Sequence, residues 1–142
     1  MIDQIHHVAV SVSDMDRSLK LYRDILGFEV SFDIVAESPE ASIITGLKGA
    51  KMHLAMIKKG GSSIELFQYL NPIGKPLPRE HRQCDNGITH IALSTKNFDE
   101  ALKAVKEGGY ELYSDPQKIG NAKVVYFKGP DGETLELLES GV

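Results

Sequence analysis

Polar and apolar residues alternate with a period of two close to the start of the chain. In residues 7–12, the small or polar side chains of His7, Ala9 and Ser11 alternate with three valines. This alternation is typical of a β-strand whose two faces meet different surroundings. The first element is therefore expected to be a strand that carries His7 at its beginning.

An amphipathic helix is expected directly after this strand. Its apolar residues recur at intervals of three or four: Met15, Leu19, Tyr22 and Leu26. Ser13 or Asp14 can accept a hydrogen bond from the first turn, and Gly27 can end the helix. The pattern predicts a helix of about 12 residues that covers one face of a sheet.

Three further strands are predicted in the first half of the chain. Their patterns cover residues 28–34, 51–57 and 63–69, and a glycine turn joins the last two as a hairpin. Residues 37–40 are expected to form a loop. The segment 41–49 is ambiguous, because two glycines interrupt its apolar residues.

The whole pattern returns at a constant shift of 83 residues, at which His7 matches His90. The same shift gives further identities: Ala9 with Ala92, Ser11 with Ser94, Asp16 with Asp99, Leu19 with Leu102, and Lys20 with Lys103. Several identities at one unbroken shift indicate two copies of one supersecondary unit.

The second copy predicts the same elements in fewer residues. Thr95 or Asn97 can cap a helix that turns Phe98, Leu102 and Val105 inward and ends at two glycines. The strands after it are expected at the following positions: residues 110–113, 123–127 and 134–139, with a Gly-Pro-Asp-Gly turn before the last.

The repeat predicts an α+β fold made of two βαβββ modules in tandem, related by a pseudo-twofold axis. The first module is expected over residues 1–70 and the second over 88–142. Residues 71–87 between them contain three prolines and form the hinge. As the longest connection, the hinge is expected to join the modules or to lie over a site.

Each copy also places a glutamate in its last strand, within Ile64-Glu65-Leu66 and Leu135-Glu136-Leu137. If the first and last strands of a module lie side by side, His7 approaches Glu65 and His90 approaches Glu136. Four ligands around one axis would suit a divalent ion such as Zn, Ni, Co, Fe or Mn. Alternatively, both glutamates are surface carboxylates on edge strands, although Glu65 shares its strand face with two aromatic residues.

Three other histidines have no counterpart at the same shift or lie on the wrong strand face: His6, His53 and His81. We interpret them as ordinary structural histidines.

Composition excludes several classes of function. The net charge is −4 and no basic run occurs, so neither nucleic acid nor an anionic membrane is an expected partner. A single cysteine, Cys84, precludes an intrachain disulfide and fits a reducing compartment. The first residues lack the features of a signal peptide, and no apolar run is long enough to span a membrane. A cytoplasmic location is expected.

Five segments carry a resemblance to a known family: residues 7–10 with 14–18, Tyr22 with 26–28, 64–66, 89–92, and 131–137. In these segments the chain resembles the vicinal oxygen chelate superfamily, which includes glyoxalase I, methylmalonyl-CoA epimerase, extradiol dioxygenases, and fosfomycin and bleomycin resistance proteins. The resemblance implies a U-shaped mixed sheet with a central metal cleft. It also implies one divalent metal, a small-molecule substrate and a homodimer.

The family's ligand positions fall on the four residues already singled out: His7, Glu65, His90 and Glu136. Bacterial glyoxalase I carries such a set, and epimerases carry a closely similar one. The resemblance implies that Glu136 shuttles a proton and that Glu65 is the second acid–base group. Phe67 and Tyr69 are candidates for lining the substrate pocket, and core packing explains them equally well.

The resemblance therefore implies a metal-dependent lyase or isomerase that transfers a proton next to a metal-chelated carbonyl. One alternative is a non-haem iron dioxygenase of the extradiol type, and another is a non-catalytic antibiotic-binding resistance protein. Metal content distinguishes the three: iron with oxygen consumption, another divalent metal, or no metal at all.

Two positions depart from the pattern of glyoxalase I. Asp24 stands where that family usually has a lysine or arginine for the carboxylate of glutathione, and Tyr69 replaces a usual asparagine. Both departures argue against glutathione as the substrate.

Overall fold

A computed structural model describes residues 1–141 of the chain. Contacts between residues divide the chain into two compact units, and the boundary falls between Pro76 and Leu77. Each unit contains one four-stranded mixed sheet, so the α+β fold with two βαβββ modules is confirmed. No helix among these residues is long and apolar enough to cross a membrane.

The sheet of the first module has the strand order β1-β4-β3-β2. Its strands run as follows: β1 Val8–Ser11, β2 Glu29–Glu37, β3 Lys51–Lys59 and β4 Ser62–Asn71. The edge strand β1 pairs in parallel with β4, whereas β3 pairs antiparallel with both β2 and β4. The chain's first strand is thus joined to the last strand of its module, as the side-by-side prediction requires.

A helix that begins as an α-helix and continues as a π-helix covers one face of this sheet. The α-helix α1 (Met15–Leu19) begins at Asp14, whose carboxylate accepts a hydrogen bond from the Arg17 amide, and it continues as a π-helical segment over Lys20–Ile25. The wider π-helical turn brings the neighbours Leu21 and Tyr22 into the core together. The predicted helix is confirmed, and its π-helical part was not expected.

The loop predicted over residues 37–40 is wrong. The helix α2 (Pro39–Thr45) begins there, because the Ser38 hydroxyl accepts a hydrogen bond from the Ala41 amide and a proline occupies its first turn. No residue of α2 is buried, and Ile43 and Ile44 are 80% and 86% exposed. The helix therefore lacks the inward-facing apolar stripe whose helical periodicity would have predicted it from the sequence.

The second module repeats the plan with the strand order β5-β8-β7-β6. Its elements run as follows: β5 Ile91–Ser94, α3 Phe98–Glu107, β6 Gln117–Ile119, β7 Ala122–Lys128 and β8 Thr134–Ser140. Strand β5 pairs in parallel with β8, and β7 pairs antiparallel with β6 and β8. Phe98 and Val105 of α3 are buried, as predicted.

The strand predicted over residues 110–113 is only partly correct. Leu112 forms an isolated bridge with Phe127, and the Tyr113 amide donates to the carbonyl of Tyr126. The chain then bends, and the regular strand β6 starts only at Gln117, after Pro116. Proline fixes its backbone and cannot donate to a ladder, which accounts for the interruption.

Opposite faces of each sheet have different neighbours. In the first module Ile64 and Leu66 are buried in the core, whereas Glu65 between them lies on the other face. In the second module Leu135 and Leu137 flank Glu136 in the same way. Each sheet thus places its glutamate on the face opposite its two apolar neighbours in the strand.

Candidate functional site

The first module brings His7 and Glu65 together. Ala9 lies opposite Glu65 in the parallel pairing of β1 with β4, so His7, just before β1, projects from the same face. The His7 Nε2 lies 3.1 Å from Glu65 Oε2. The predicted approach of these two side chains is confirmed.

The second module builds the same pair. Ala92 lies opposite Glu136 in the pairing of β5 with β8, and His90 Nε2 lies 3.1 Å from Glu136 Oε2. Glu136 is 8% exposed, one of the few buried charged side chains in the described residues. Burial of a carboxylate is costly unless a partner compensates for it, and His90 is such a partner. This burial argues against the alternative in which Glu136 is a surface carboxylate.

A neighbouring side chain holds each histidine in the orientation required for this contact. The His7 Nδ1 lies 2.8 Å from His6 Nδ1, and the His90 Nδ1 lies 3.0 Å from the hydroxyl oxygen of Thr89. Both partners directly precede their histidine, so His6 and Thr89 occupy equivalent positions. Such contacts fix the ring and leave Nε2 to face a ligand. Our interpretation of His6 as an ordinary structural histidine missed this contact.

The donor atoms fit a divalent metal. Imidazole nitrogens and carboxylate oxygens bind zinc and similar ions at about 2.0–2.2 Å, so two ligands at right angles are about 3 Å apart. The Nε2 to Oε2 distance of 3.1 Å in each pair satisfies this requirement. Each pair alone supplies two donors. In the part of the chain that the structure describes, no three His, Cys, Asp or Glu side chains form one metal-binding group.

Apolar and aromatic side chains surround Glu65. Met56 lies opposite Glu65 across the β3–β4 pairing, and Leu54 lies opposite Phe67. The rings of Phe67 and Tyr69 stack with centroids 5.9 Å apart. Phe67 and Tyr69, the candidate pocket residues, thus lie on the face of Glu65.

Side chains with hydroxyl groups lie on the Glu136 face instead. Tyr126 lies opposite Glu136 across the β7–β8 pairing, and its ring centroid is 4.8 Å from that of His90 and 6.2 Å from that of Tyr113. The phenol oxygen of Tyr113 lies 2.9 Å from the hydroxyl oxygen of Thr134. No motif marked Tyr113, Tyr126 or Thr134 as functional, and strand parity around Glu136 was the one signal that could have identified Tyr126 and Thr134.

The segment before β5 also reaches this network. Gln83 donates its Nε2–H to Thr134 Oγ1 over 2.8 Å. The turn that carries Gln83 is closed by Asp85, whose carboxylate accepts a hydrogen bond from the Arg82 amide at 2.8 Å. This hydrogen bond lowers the pKa of Asp85 below its usual value. Part of the predicted hinge therefore supports the face of the second module.

The other histidines lie outside the two His–Glu pairs. His53 forms an ion-pair contact with Asp33, and His81 Nδ1 lies 3.7 Å from Asp85 Oδ2. Neither contact involves Glu65 or Glu136. Assigning these two histidines a structural role agrees with their positions.

Asp24 carries a negative charge that a cation partly offsets. The Nε of Arg23 lies 2.7 Å from Asp24 Oδ1, and this hydrogen bond lowers the pKa of the Asp24 carboxyl. The carboxyl therefore stays ionised near neutral pH, where it does not attract the carboxylate of a ligand.

Comparison with known proteins places these features in a family. The family model described as the glyoxalase/bleomycin resistance protein/dioxygenase superfamily matches residues 4–137. The 2-epi-5-epi-valiolone epimerase of an Actinomyces species is 28% identical, over 94% of this chain and 78% of its own. The mitochondrial methylmalonyl-CoA epimerase of Mus musculus is also 28% identical, over 91% of this chain and 67% of its own.

A solved structure supports the fold. The glyoxalase family protein from Bacillus cereus superimposes with a TM-score of 0.90 at 22% identity, covering 99% of this chain and 95% of its own. At that identity the likeness concerns the fold alone.

Proposed function

The chain belongs to the glyoxalase/bleomycin resistance protein/dioxygenase superfamily, and we propose that it is a metal-dependent isomerase or lyase. The reaction is a proton transfer at a carbon next to a carbonyl group of a small-molecule substrate. The observation that carries the proposal is the duplication of one His–Glu pair, with Nε2 and Oε2 3.1 Å apart in both modules.

Four residues would hold one divalent metal: His7, Glu65, His90 and Glu136. Two donors bind such an ion weakly, so we propose that the two pairs combine, either in one chain or between two copies. Nickel, cobalt, zinc, manganese and iron all accept nitrogen and oxygen donors of this kind. A bound ion would polarise the substrate carbonyl and acidify the neighbouring C–H bond.

The two carboxylates would move the proton. Glu136 is the first candidate to accept it from carbon, because it is the more buried of the two glutamates. Glu65 would return the proton from the other side in an epimerisation. Phe67 and Tyr69 lie on the Glu65 face, where we propose that they contact the substrate.

The relatives support a proton transfer more than an oxidation. Two epimerases are among them, and an epimerase exchanges a proton at one carbon without net redox change. A third relative, the metallothiol transferase FosB of Staphylococcus epidermidis, is 27% identical over 96% of this chain. Its name shows that the superfamily also includes group transfer.

Metal content tests the proposal directly. The protein, purified without a histidine tag, is expected to contain or to take up one divalent ion per set of four ligands. His90→Ala should abolish this binding, whereas His53→Ala, a matched histidine variant outside both pairs, should retain it. A wild-type protein that binds none of Ni²⁺, Co²⁺, Zn²⁺, Mn²⁺ or Fe²⁺ would overturn the proposal, and iron with oxygen consumption would indicate a dioxygenase.

We also propose a homodimer. Solution mass at micromolar concentration, with and without metal, tests this part separately. A monomer that still binds one metal ion would refute the dimer and retain the metal centre.

A further inference from the structure

Two hydroxyl groups next to Glu136 share a single hydrogen bond. The phenol oxygen of Tyr113 and Oγ1 of Thr134 are 2.9 Å apart, and either atom can be the donor. Thr134 is 7% exposed, whereas Tyr113 is 45% exposed. Each hydroxyl has one hydrogen, so one hydrogen is used in this contact and the other is not.

The surroundings of Thr134 decide which hydrogen is used. Oγ1 of Thr134 already accepts the hydrogen bond from Gln83 Nε2. The other amide atom, Gln83 Oε1, is buried and accepts no hydrogen bond from any described residue, so Thr134 does not donate to it. Among described residues this leaves Tyr113 as the acceptor for the buried hydroxyl of Thr134, and an unmet buried donor is costly. Thr134 therefore donates to Tyr113, and the hydrogen of Tyr113 remains available at the surface.

This hydrogen lies on the side of the second sheet that carries the second His–Glu pair. Thr134 and Glu136 are alternate residues of β8 and share a face. The Tyr126 ring contacts both the Tyr113 ring and the His90 ring, with centroid distances of 6.2 and 4.8 Å. A molecule held at His90 and Glu136 therefore lies on the same side of this sheet as the Tyr113 phenol.

The network is held in place before any ligand arrives. Asp85 accepts a hydrogen bond from the Arg82 amide, and the Asp85 amide donates to the Arg82 carbonyl, so Gln83 sits in a closed turn. Gln83 fixes Thr134, and Thr134 fixes the phenol. A donor that is already oriented binds a ligand oxygen with little loss of entropy.

A cation adds a charge preference. Lys128 lies opposite Thr134 on β7, and its Nζ is 5.7 Å from the centre of the Tyr113 ring. The same Nζ pairs with Glu111 Oε2 at 3.0 Å, and this glutamate is exposed. A hydroxyl donor with a lysine nearby favours an anionic oxygen over a neutral one.

We propose that Tyr113 binds substrate, donating its hydrogen bond to a carboxylate oxygen of the molecule held at His90 and Glu136. Thr134 and Gln83 are positioning residues for this phenol. The inference rests on the proposed metal centre and narrows its substrate to small acids with a carboxylate next to the reacting carbonyl group.

Oxalate binding to the cobalt-loaded protein tests this inference. Oxalate has two adjacent carboxylates, and the visible absorption of Co²⁺ reports its arrival without any turnover. Tyr113→Phe is expected to weaken oxalate binding about tenfold, in keeping with the loss of a hydrogen bond to a charged group. Thr134→Val keeps the Tyr113 phenol but removes the hydroxyl that orients it. This change should weaken oxalate binding about threefold.

Tyr110→Phe is the matched control, because it removes a phenol hydroxyl three residues earlier in the same segment. It should bind oxalate like the wild type. The Co²⁺ affinity of Tyr113→Phe should stay unchanged, which separates a contact with oxalate from damage to the metal site. Its thermal midpoint should fall slightly, because the buried Thr134 hydroxyl loses its acceptor. Equal oxalate binding by Tyr113→Phe and wild type, or no oxalate binding by the cobalt-loaded wild type, would overturn the inference alone. Failure of the wild type to bind cobalt or any other divalent ion would overturn the proposed function as well.

Discussion

Replacement of Thr89 by valine tests whether the side chain before each histidine supports a metal ligand. The Thr89 hydroxyl oxygen lies 3.0 Å from His90 Nδ1 in a partly buried contact. Valine has nearly the same shape and suits extended backbone, so the change removes the hydrogen bond and little else. His90 then keeps Nε2 near Glu136 but loses the contact that fixes its ring.

The size of the effect follows from the burial of this contact. Loss of a group that orients a metal ligand typically reduces metal affinity about 10- to 100-fold. Because the contact is only partly buried, we expect the lower end, about tenfold or 1.4 kcal/mol. The equivalent contact between His6 and His7 is exposed. His6→Phe should therefore reduce affinity less, by about threefold.

Competition between the protein and a chelating dye for Zn²⁺ measures these affinities. Thr45→Val is a matched control, because it removes a hydroxyl that hydrogen bonds only within α2, to the Ala41 carbonyl. The reasoning fails if Thr89→Val binds zinc within twofold of the wild type while His90→Ala does not bind it. In that case the ring would be oriented by packing, for example against Tyr126.

Three further predictions follow from separate parts of the molecule. Glu136→Gln should retain some metal but lose a factor of about 100 to 10,000 in turnover, since an amide oxygen can coordinate a metal but cannot accept the proton. If the variant turns over an identified substrate within about threefold of wild type, Glu65 becomes the candidate base. Ser18 is fully buried, and its Oγ has no hydrogen-bond partner in the described residues. Ser18→Ala should therefore raise the free energy of unfolding, measured by urea titration, by about 1 kcal/mol. A lower free energy of unfolding would contradict this and show that Oγ has a partner. Because the pKa of Asp85 is lowered in the folded protein, the contribution of its carboxylate to stability is full above the usual pKa of 3.8 and is lost as the pH falls through the lowered pKa. Hydrogen exchange of the Arg82 amide should therefore rise at that low pH, relative to the exchange expected for free peptide. Protection of this amide that is unchanged at pH 2 would contradict the prediction.

Sequence patterns predicted most of the fold because burial enforces them. Strand β4 turns the alternate residues Ile64 and Leu66 into the core, and both are apolar in the sequence. The helix α2 escaped detection because a serine cap and a proline begin it, while its isoleucines face solvent. The strand β6 after Pro116 escaped detection because its residues, Gln117–Ile119, are all exposed and show no apolar alternation.

The candidate site was predicted only as far as the duplication extends. Repetition identified both His–Glu pairs, and strand parity placed each glutamate on the face opposite the core. The supporting groups lack such signals. Gln83 and Thr134 are far apart in the chain, and their contact depends on how one loop folds back. His6 and Thr89 are equivalent in position but differ in chemistry, so comparison of the two copies did not reveal their common role.

The parallel pairing of the first and last strands in each module also makes each His–Glu pair depend on contacts between residues distant in sequence. Strand β1 is an edge strand that pairs only with β4, and β4 is the last strand of its module. Pairing of β1 with β4 therefore closes the longest loop in the module. Contacts between residues so distant in sequence form slowly. Each His–Glu pair is completed by this closing step, so the ability to bind a ligand there reports that the whole module has folded.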